Sequence, residues 1–443
     1  MKTVVILLFG ITAIIVLGVI VSLNRKYKGV LVLSGSLFAF LGYYCIVPII
    51  ALLASDRNNK LEGYLETLSK ASGDDYLRMF FCFFLFLTAL FMSYSYFSKM
   101  NNNRVVVTGK FKKSIKFWAW FTFIVGGLSF IIYAYSFGGF VRLIAYAELM
   151  RSFATDKADL FTGRTYILVV PSRLITVAAI LFLLYLKYVK KDFLSKVCLI
   201  VSLVLSVLFY LSNAGKTGVL TFGLCFLIPL LSYRFRHEWI LTICVSVLGI
   251  GIIGYLDALF LYFDTNEFVV EQGGGILSSI AQFSYPISNV LSLDGITGLS
   301  GFRYGQDFLT GILNIIPGVN FSTSTEVTSM YYGGADWHTT GGTPNDMITY
   351  GFLELGYLGV VFVGLLLGCI SAIVDRCLMS LNDSFAERIL KCSLVLLFFL
   401  VMVNADTISI VREQFLITIL SYSVISSSKI MRLSRYDYRC LIV

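Results

Sequence analysis

Long apolar runs alternate with short polar connections along most of the chain. A helix needs about 20 apolar residues to cross the hydrocarbon core of a bilayer. Eleven runs approach this length, and none shows the strict alternation of transmembrane β-strands. The pattern predicts an all-α polytopic membrane protein with about 11 transmembrane helices. The predicted spans are 3–23, 29–54, 78–97, 117–137, 165–186, 197–213, 219–232, 239–262, 350–374, 389–403 and 413–428.

The composition agrees with a membrane protein. Hydrophobic residues make up 57% of the 443 positions, and charged residues only 14%, against about 25% in soluble domains. A soluble fold needs a polar shell that this chain does not have. Nine scattered cysteines and two histidines form no metal-ligand spacing. We therefore expect no metal site and no cofactor.

The charges indicate an orientation. The net charge of +9 divides into +16 on one set of connections, −8 on the alternate set, and +1 from Arg173 inside a span. The positive-inside rule places the basic set in the cytoplasm. The N-terminus is then outside and the C-terminus cytoplasmic. No nucleic-acid partner is expected, because no aromatic interleaving or known motif accompanies the basic residues.

One connection on the outer side is long. Residues 263–349 are rich in Gly, Ser, Thr, Tyr and Asn, and such long segments are usually functional. The basic connections are short and leave no room for a cytoplasmic nucleotide-binding domain. We predict a single integral membrane domain over 1–443, with 263–349 as a large extracytoplasmic loop where the protein acts.

Arg173 is an ionisable residue inside a predicted span, where a charge costs several kcal/mol. It lies nine residues beyond Arg164, about 13 Å deeper in a helix. Pro171 should kink this helix and free backbone carbonyls. Arg173 either faces a functional cavity or pairs with a buried acid such as Asp257.

Two further cations lie on the outer side. Arg303 is the one basic residue of the acidic segment 263–349. It forms either a local salt bridge or an anion site, because a guanidinium fits phosphate oxygens in pairs. Lys216 lies in the turn 212–218 between two spans. Its amine is either a ligand at head-group depth or a snorkelling lysine.

Several outer residues precede or begin the ninth span. His338 lies before a glycine-rich turn. Asp346, Tyr350 and Glu354 follow at a spacing of four, which places them on one helix face. Because Glu354 stands within an apolar run, this face is expected to meet a cavity, or to make hydrogen bonds between helices.

Four short motifs occur between the fifth and ninth spans. They are Gly163-Arg164-Thr165, Asn213-Ala214-Gly215-Lys216-Thr217-Gly218, Phe302-Arg303-Tyr304-Gly305 with Ile315-Ile316-Pro317-Gly318, and Gly342-Thr343-Pro344-Asn345-Asp346 leading into Tyr350-Gly351-Phe352-Leu353-Glu354-Leu355-Gly356-Tyr357-Leu358-Gly359. Together with the span count and the large outer loop, they resemble the bacterial O-antigen and capsule repeat-unit polymerases, the Wzy-type family.

The resemblance implies a GT-C-like architecture in the bacterial cytoplasmic (inner) membrane, with its active face outside. The donor and the acceptor would both be oligosaccharides on undecaprenyl diphosphate, and undecaprenyl diphosphate would leave. Neither nucleotide nor metal would be needed. Membrane lipid, a chain-length regulator and a flippase would be its partners.

The expected site residues follow from this chemistry, since cations stabilise a departing diphosphate and a base accepts the hydroxyl proton. The diphosphate ligands are expected to be Arg303, Lys216, Arg164 and Arg173. The catalytic group is expected to include Arg303 and a base, Glu354 or His338, with Asp346 and Tyr350 at the sugar.

Other functions fit the same sequence. A lipid-linked oligosaccharide flippase would also be polytopic, although such proteins usually show internal repeats, which this chain does not. An O-antigen ligase would perform the same chemistry on a lipid A core acceptor. A different membrane transferase, such as an acyltransferase, is a further alternative.

Overall fold

The computed structural model is helical throughout the part of the chain that it describes, with no strand there. The described residues are 2–26, 31–54, 64–98, 109–146, 168–212, 219, 222–223, 284–314, 321–333, 343–379 and 384–405. The helices are α1 (Lys2–Lys26), α2 (Val32–Ala39), α3 (Val47–Ala54), α4 (Tyr64–Lys70), α5 (Gly73–Ser98), α6 (Gly109–Ser136), α7 (Phe140–Ala145), α8 (Val169–Ser172), α9 (Leu174–Tyr188), α10 (Phe193–Leu211), α11 (Tyr285–Leu291), α12 (Leu293–Ser300), α13 (Gln306–Leu313), α14 (Ser324–Gly333), α15 (Met347–Met379) and α16 (Ser384–Val403).

Seven helical segments within the described ranges are long and apolar enough to cross a membrane. They correspond to the first six predicted spans and the ninth, which confirms a polytopic helical membrane protein. The tenth predicted span lies within α16. The eighth and eleventh fall outside the described residues, as does the seventh except for residues 219 and 222–223, so the count of 11 and the orientation remain predictions. The seven are Lys2–Asn24, Val32–Leu53, Gly73–Ser98, Lys112–Ser136, Val169–Tyr188, Phe193–Leu211 and Met347–Met379.

The chain divides into two compact units. Arg303, Asp346 and Glu354 belong to unit 1, whereas Arg173 belongs to unit 2. The single integral membrane domain expected over 1–443 stays a prediction. Unit 1 comprises Met1–Asn101, Glu271–Arg376 and Leu394–Val411, and unit 2 comprises Asn102–Val270, Cys377–Ser393 and Arg412–Val443.

In unit 1, a buried carboxylate near the end of α15 caps the start of α2. Asp375 accepts hydrogen bonds from the backbone N–H groups of Val32 at 2.8 Å and Leu33 at 3.5 Å, and from the Tyr94 hydroxyl at 3.1 Å. The first N–H groups of a helix have no partner within it, and its N-terminus favours negative charge. Asp375 therefore joins α2, α5 and α15 at one end of the unit.

Glycines allow these helices to approach closely. A β-carbon added at Gly368 of α15 would lie 2.4 Å from the carbonyl oxygen of Leu90 in α5. One added at Gly35 of α2 would lie 2.0 Å from the carbonyl oxygen of Val395 in α16. Small residues at such contacts are typical of membrane helices, which associate through van der Waals packing.

We predict that Gly368→Ala lowers the melting temperature of the purified protein, because the new methyl group meets a backbone carbonyl. The overpacking should cost about 1–3 kcal/mol. Gly18→Ala is the matched control, since nothing lies within 4 Å of a β-carbon there. Thermal unfolding in detergent measures both variants. Equal melting temperatures for the two would contradict the close α5–α15 contact.

Candidate functional site

The ninth predicted span is broken next to Glu354. The sequence pattern predicted one continuous span over 350–374, whereas α15 begins at Met347 and leaves helical geometry at Leu355 (φ −143°, ψ 23°) and Gly356 (φ 62°, ψ −143°). The positive φ of Gly356 favours glycine, which has no β-carbon to clash. We call 347–354 the short arm and 357–379 the long arm.

The two arms fold against each other. A β-carbon added at Gly359 would lie 1.8 Å from the carbonyl oxygen of Gly351. In a straight helix these residues would stand about 12 Å apart. The break therefore turns the short arm back onto the long arm, and only glycine fits at Gly359.

A neighbouring loop caps the end of the short arm. The backbone N–H of Arg303 donates to the carbonyl of Leu353 at 2.9 Å, and that of Tyr304 donates to the carbonyl of Glu354 at 2.8 Å. Helix-terminal carbonyls lack partners within the helix. Tyr304 adopts a positive φ of 52° at this turn. The loop that holds Arg303 is thus hydrogen-bonded directly to the Glu354 backbone.

The side chain of Arg303 forms a buried salt bridge. Its Nε lies 2.7 Å from Asp307 Oδ1, and its Nη2 donates to the Ser322 carbonyl at 2.6 Å. Asp307 Oδ2 in turn accepts from the backbone N–H of Ser324 at 2.9 Å. Of the two interpretations of Arg303, the structure shows the local salt bridge, and a role as an anion ligand is untested. Asp307 was not among the expected site residues, although its spacing of four from Arg303 was visible.

Glu354 is buried, with only 1% of its surface exposed. Neither carboxylate oxygen makes a well-aligned hydrogen bond within the described ranges, although the Gly305 backbone N–H and the Asp307 side chain lie close to it. Asp307 and Arg303 lie near enough to act on its charge, with opposite signs. A buried polar group without a partner is costly, and such groups concentrate at functional sites. Glu354 is therefore the strongest candidate for chemistry in unit 1.

Asp346 stands at the opposite end of the short arm and caps it. Its Oδ1 accepts from the Tyr44 hydroxyl at 2.6 Å and from the backbone N–H groups of Ile348 and Thr349, both at 3.0 Å. Burial raises the pKa of Asp346, while these hydrogen bonds lower it. Tyr44 comes from the π-helical segment Phe40–Ile46, which joins α2 to α3. Asp346 thus has a structural role, and sugar binding by it stays a prediction.

Tyr350 lies between the two acids and is also buried. Its backbone N–H donates to the Asp346 carbonyl at 2.8 Å. Its ring packs edge-on against Phe308 of α13, with 5.5 Å between centroids. Tyr350 and Glu354 thus lie in the short arm that Asp346 caps, and the shared helix face expected for the three side chains stays a prediction.

Further buried polar atoms lie around the start of the short arm. Both side-chain amide atoms of Asn345 lack a partner within the described ranges, as does the Thr349 hydroxyl. Asn289 of α11 donates its Nδ2 to the Pro344 carbonyl at 3.0 Å, while its Oδ1 makes no bond there. Asn345 belongs to the motif that precedes the ninth span but was not among the expected site residues, and Asn289 and Thr349 have no distinctive signal in the sequence.

Arg173 lies in unit 2 between α8 and α9 and keeps right-handed helical angles (φ −63°, ψ −21°), so the kink expected from Pro171 stays a prediction. Its guanidinium carbon lies 6.0 Å from the ring centroid of Phe209, at the outer limit of a cation–π contact. Four residues named from the sequence fall outside the described residues, and their positions stay predictions. They are Arg164, Lys216, Asp257 and His338.

Metal-binding side chains do not cluster in the described part of the chain, where no three His, Cys, Asp or Glu residues come together. The site therefore contains the salt bridge between Arg303 and Asp307 and, close to it, the buried carboxylate of Glu354.

We predict that Tyr44→Phe destabilises the protein, because the buried Asp346 loses a hydroxyl donor. The cost should be about 1–3 kcal/mol. Tyr96→Phe is the control, since Tyr96 is 73% exposed. The melting temperature should fall for Tyr44→Phe and stay near the parent value for Tyr96→Phe. If Tyr44→Phe melts like the parent, the Tyr44–Asp346 bond contributes nothing.

Comparison with known proteins gives no match: no protein-family model, curated protein or solved structure corresponds to this chain.

Proposed function

We propose that the protein is a membrane glycosyltransferase that polymerises undecaprenyl-diphosphate-linked oligosaccharide repeat units at the outer face of the bacterial cytoplasmic membrane. One observation carries the proposal. A buried carboxylate without a well-aligned hydrogen bond from the described residues, Glu354, ends a broken helix directly beside a buried arginine, Arg303. The four sequence motifs that resemble Wzy-type polymerases supply the substrate class.

The reaction needs a base. A hydroxyl of the acceptor sugar attacks the anomeric carbon of the donor, a carbon–oxygen bond forms, and the bond to undecaprenyl diphosphate breaks. Glu354 accepts the proton of this hydroxyl while the hydroxyl oxygen attacks the anomeric carbon. Neither of its oxygens is committed to a well-aligned hydrogen bond within the described ranges, so both are available for this proton.

The departing diphosphate needs positive charge. A guanidinium has five N–H donors, and Arg303 commits its Nε to Asp307 and one Nη2 donor to Ser322. The remaining donors bind the phosphate oxygens as negative charge develops. Asp307 orients the guanidinium and does not touch the substrate. Arg164, Arg173 and Lys216 are proposed as further diphosphate ligands, with Asp346 and Tyr350 near the sugar and His338 as the alternative base.

We predict that Glu354→Gln abolishes polymer formation while the protein remains folded. Purified protein is incubated with a defined undecaprenyl-diphosphate oligosaccharide, and products are separated as a ladder of repeat units. Loss of a general base should slow the reaction by about 10²–10⁴-fold. Glu66→Gln, at an exposed glutamate of α4, should leave the ladder intact. A parental ladder from folded Glu354→Gln would remove Glu354 as the base.

We predict a smaller loss for Arg303→Lys, which keeps the charge but loses the planar fork. Losing one charge-assisted hydrogen bond costs about 1.5–3 kcal/mol, or roughly a tenfold to hundredfold decrease in rate. Arg142→Lys, at an exposed arginine of α7, is the control. If a correctly folded Arg303→Lys variant forms the ladder at the parental rate, the salt bridge has only a structural role.

The broken helix also favours a second candidate, a lipid-linked oligosaccharide flippase. Transporters often place a discontinuous helix and ionisable groups at their substrate site, as α15 does with Glu354. Reconstituted vesicles separate the two functions. Movement of the lipid-linked oligosaccharide between leaflets without a ladder indicates a flippase, whereas a ladder in detergent solution indicates a polymerase.

A further inference from the structure

An apolar surface is exposed beside the candidate site. It comprises Phe302, Tyr304, Leu309, Ile312 and Leu313, and we call it the 302–313 surface. Leu309 is 67% exposed and Ile312 57% exposed. Residues 309, 312 and 313 follow a spacing of three and four, which places them on one side of α13. Soluble proteins rarely leave such contiguous apolar patches uncovered.

The opposite side of α13 is buried and polar. Asp307 and Thr310 are buried, as is Asn314 directly after the helix. Asn314 exchanges two hydrogen bonds with the backbone of Phe321, at 2.8 and 2.9 Å. The helix is therefore amphipathic in the reverse sense to a water-soluble surface helix, since its polar side faces the protein interior and its apolar side faces outward.

The 302–313 surface continues onto the long arm of α15. The Phe302 ring lies 3.6 Å from the β-carbon position of Gly356 and 6.0 Å, between ring centroids, from Phe352. The Phe308 ring lies edge-on to Phe362 of the long arm, with centroids 6.2 Å apart. The long arm belongs to a candidate membrane span.

That long arm is exposed along an apolar side. Leu358 is 76% exposed, and Phe362, Leu365 and Leu366 are each more than 40% exposed. In a membrane-spanning helix, such residues face lipid. The same apolar environment would meet the 302–313 surface without interruption, because Phe302 lies against the break in α15 and Phe308 lies against the long arm.

We propose that residues 302–313 lie in the membrane interface and that the 302–313 surface inserts among the lipid chains of the bilayer. Amphipathic segments bury their apolar side about 5–10 Å into the boundary between head groups and acyl chains. Tyr304, with 77% of its surface exposed, is of the residue type enriched at that boundary. Lipid is the partner of the 302–313 surface because this surface is continuous with the exposed apolar side of the long arm, which faces lipid in a membrane span.

This insertion has a consequence for the site, which rests on the proposed function. Arg303 and Asp307 lie on the inward side of the same segment. Their salt bridge is then held at the depth of lipid head groups. A substrate on a lipid diphosphate can reach it sideways from the bilayer, with its phosphates near Arg303.

Photocrosslinking tests the insertion directly. A benzophenone amino acid replaces Leu309, and the full-length protein is reconstituted into vesicles of phosphatidylethanolamine and phosphatidylglycerol. After irradiation, intact-mass spectrometry detects the covalent addition of a phospholipid. Leu358 is the lipid-facing control. Lys70, 70% exposed at its side chain in α4, is the control for exposure outside the apolar side.

We expect lipid adducts at Leu309 at a level similar to Leu358 and several-fold above Lys70. An adduct level at Leu309 no higher than at Lys70 overturns the proposal. A covalent dimer in place of a lipid adduct also overturns it, because the surface then binds a second copy of the chain. Ile312 serves in the same way if the Leu309 variant is not monodisperse. The readout needs no transfer activity, so it is independent of the proposed reaction.

Discussion

The carbonyl groups of Leu353 and Glu354 have no partner within their own helix, and both residues are buried away from water. The backbone N–H groups of Arg303 and Tyr304 satisfy them. This exchange of hydrogen bonds allows a helix to end inside an apolar sequence. It also holds the loop that contains Arg303 beside the break, because two adjacent N–H groups of that loop are the donors. The position of Arg303 relative to Glu354 follows from backbone bonds, before any side chain is considered.

The short arm holds a carboxylate at each end, and the two carboxylates differ in what surrounds them. Asp346 receives three hydrogen bonds at the helix N-terminus, where negative charge is favoured. Glu354 stands at the C-terminus, where the helix dipole disfavours negative charge, and receives no well-aligned hydrogen bond from the described residues. One acid therefore stabilises the arm, and the other is held at an energetic cost. A cost of this kind is typical of a group retained for its reactivity.

Much of the fold could be predicted from apolar run lengths, because a bilayer imposes one length on every span. The break after Glu354 could not, because Leu355 and Gly356 are ordinary within a membrane span, and only the contact between Gly351 and Gly359 reveals the fold-back. The acids at 346 and 354 could be selected from the sequence, because an ionisable group at or within a predicted span is energetically costly. Their different surroundings could not be predicted, because Tyr44, which lies 302 residues away along the chain, donates a hydrogen bond to Asp346. The pairing of Arg303 with Asp307 was accessible from spacing alone.

The cap that Asp375 places on α2 joins residues 343 positions apart. At about 5–20 residues per second of synthesis, roughly 20–70 s separate the appearance of the Val32 amide from that of its acceptor. During this time the first turn of α2 has no cap from Asp375, because most of the chain has still to be synthesised. The cap on α2 can therefore form only after the ribosome has passed the end of α15, so the N-terminal helices of unit 1 gain this contact late in synthesis.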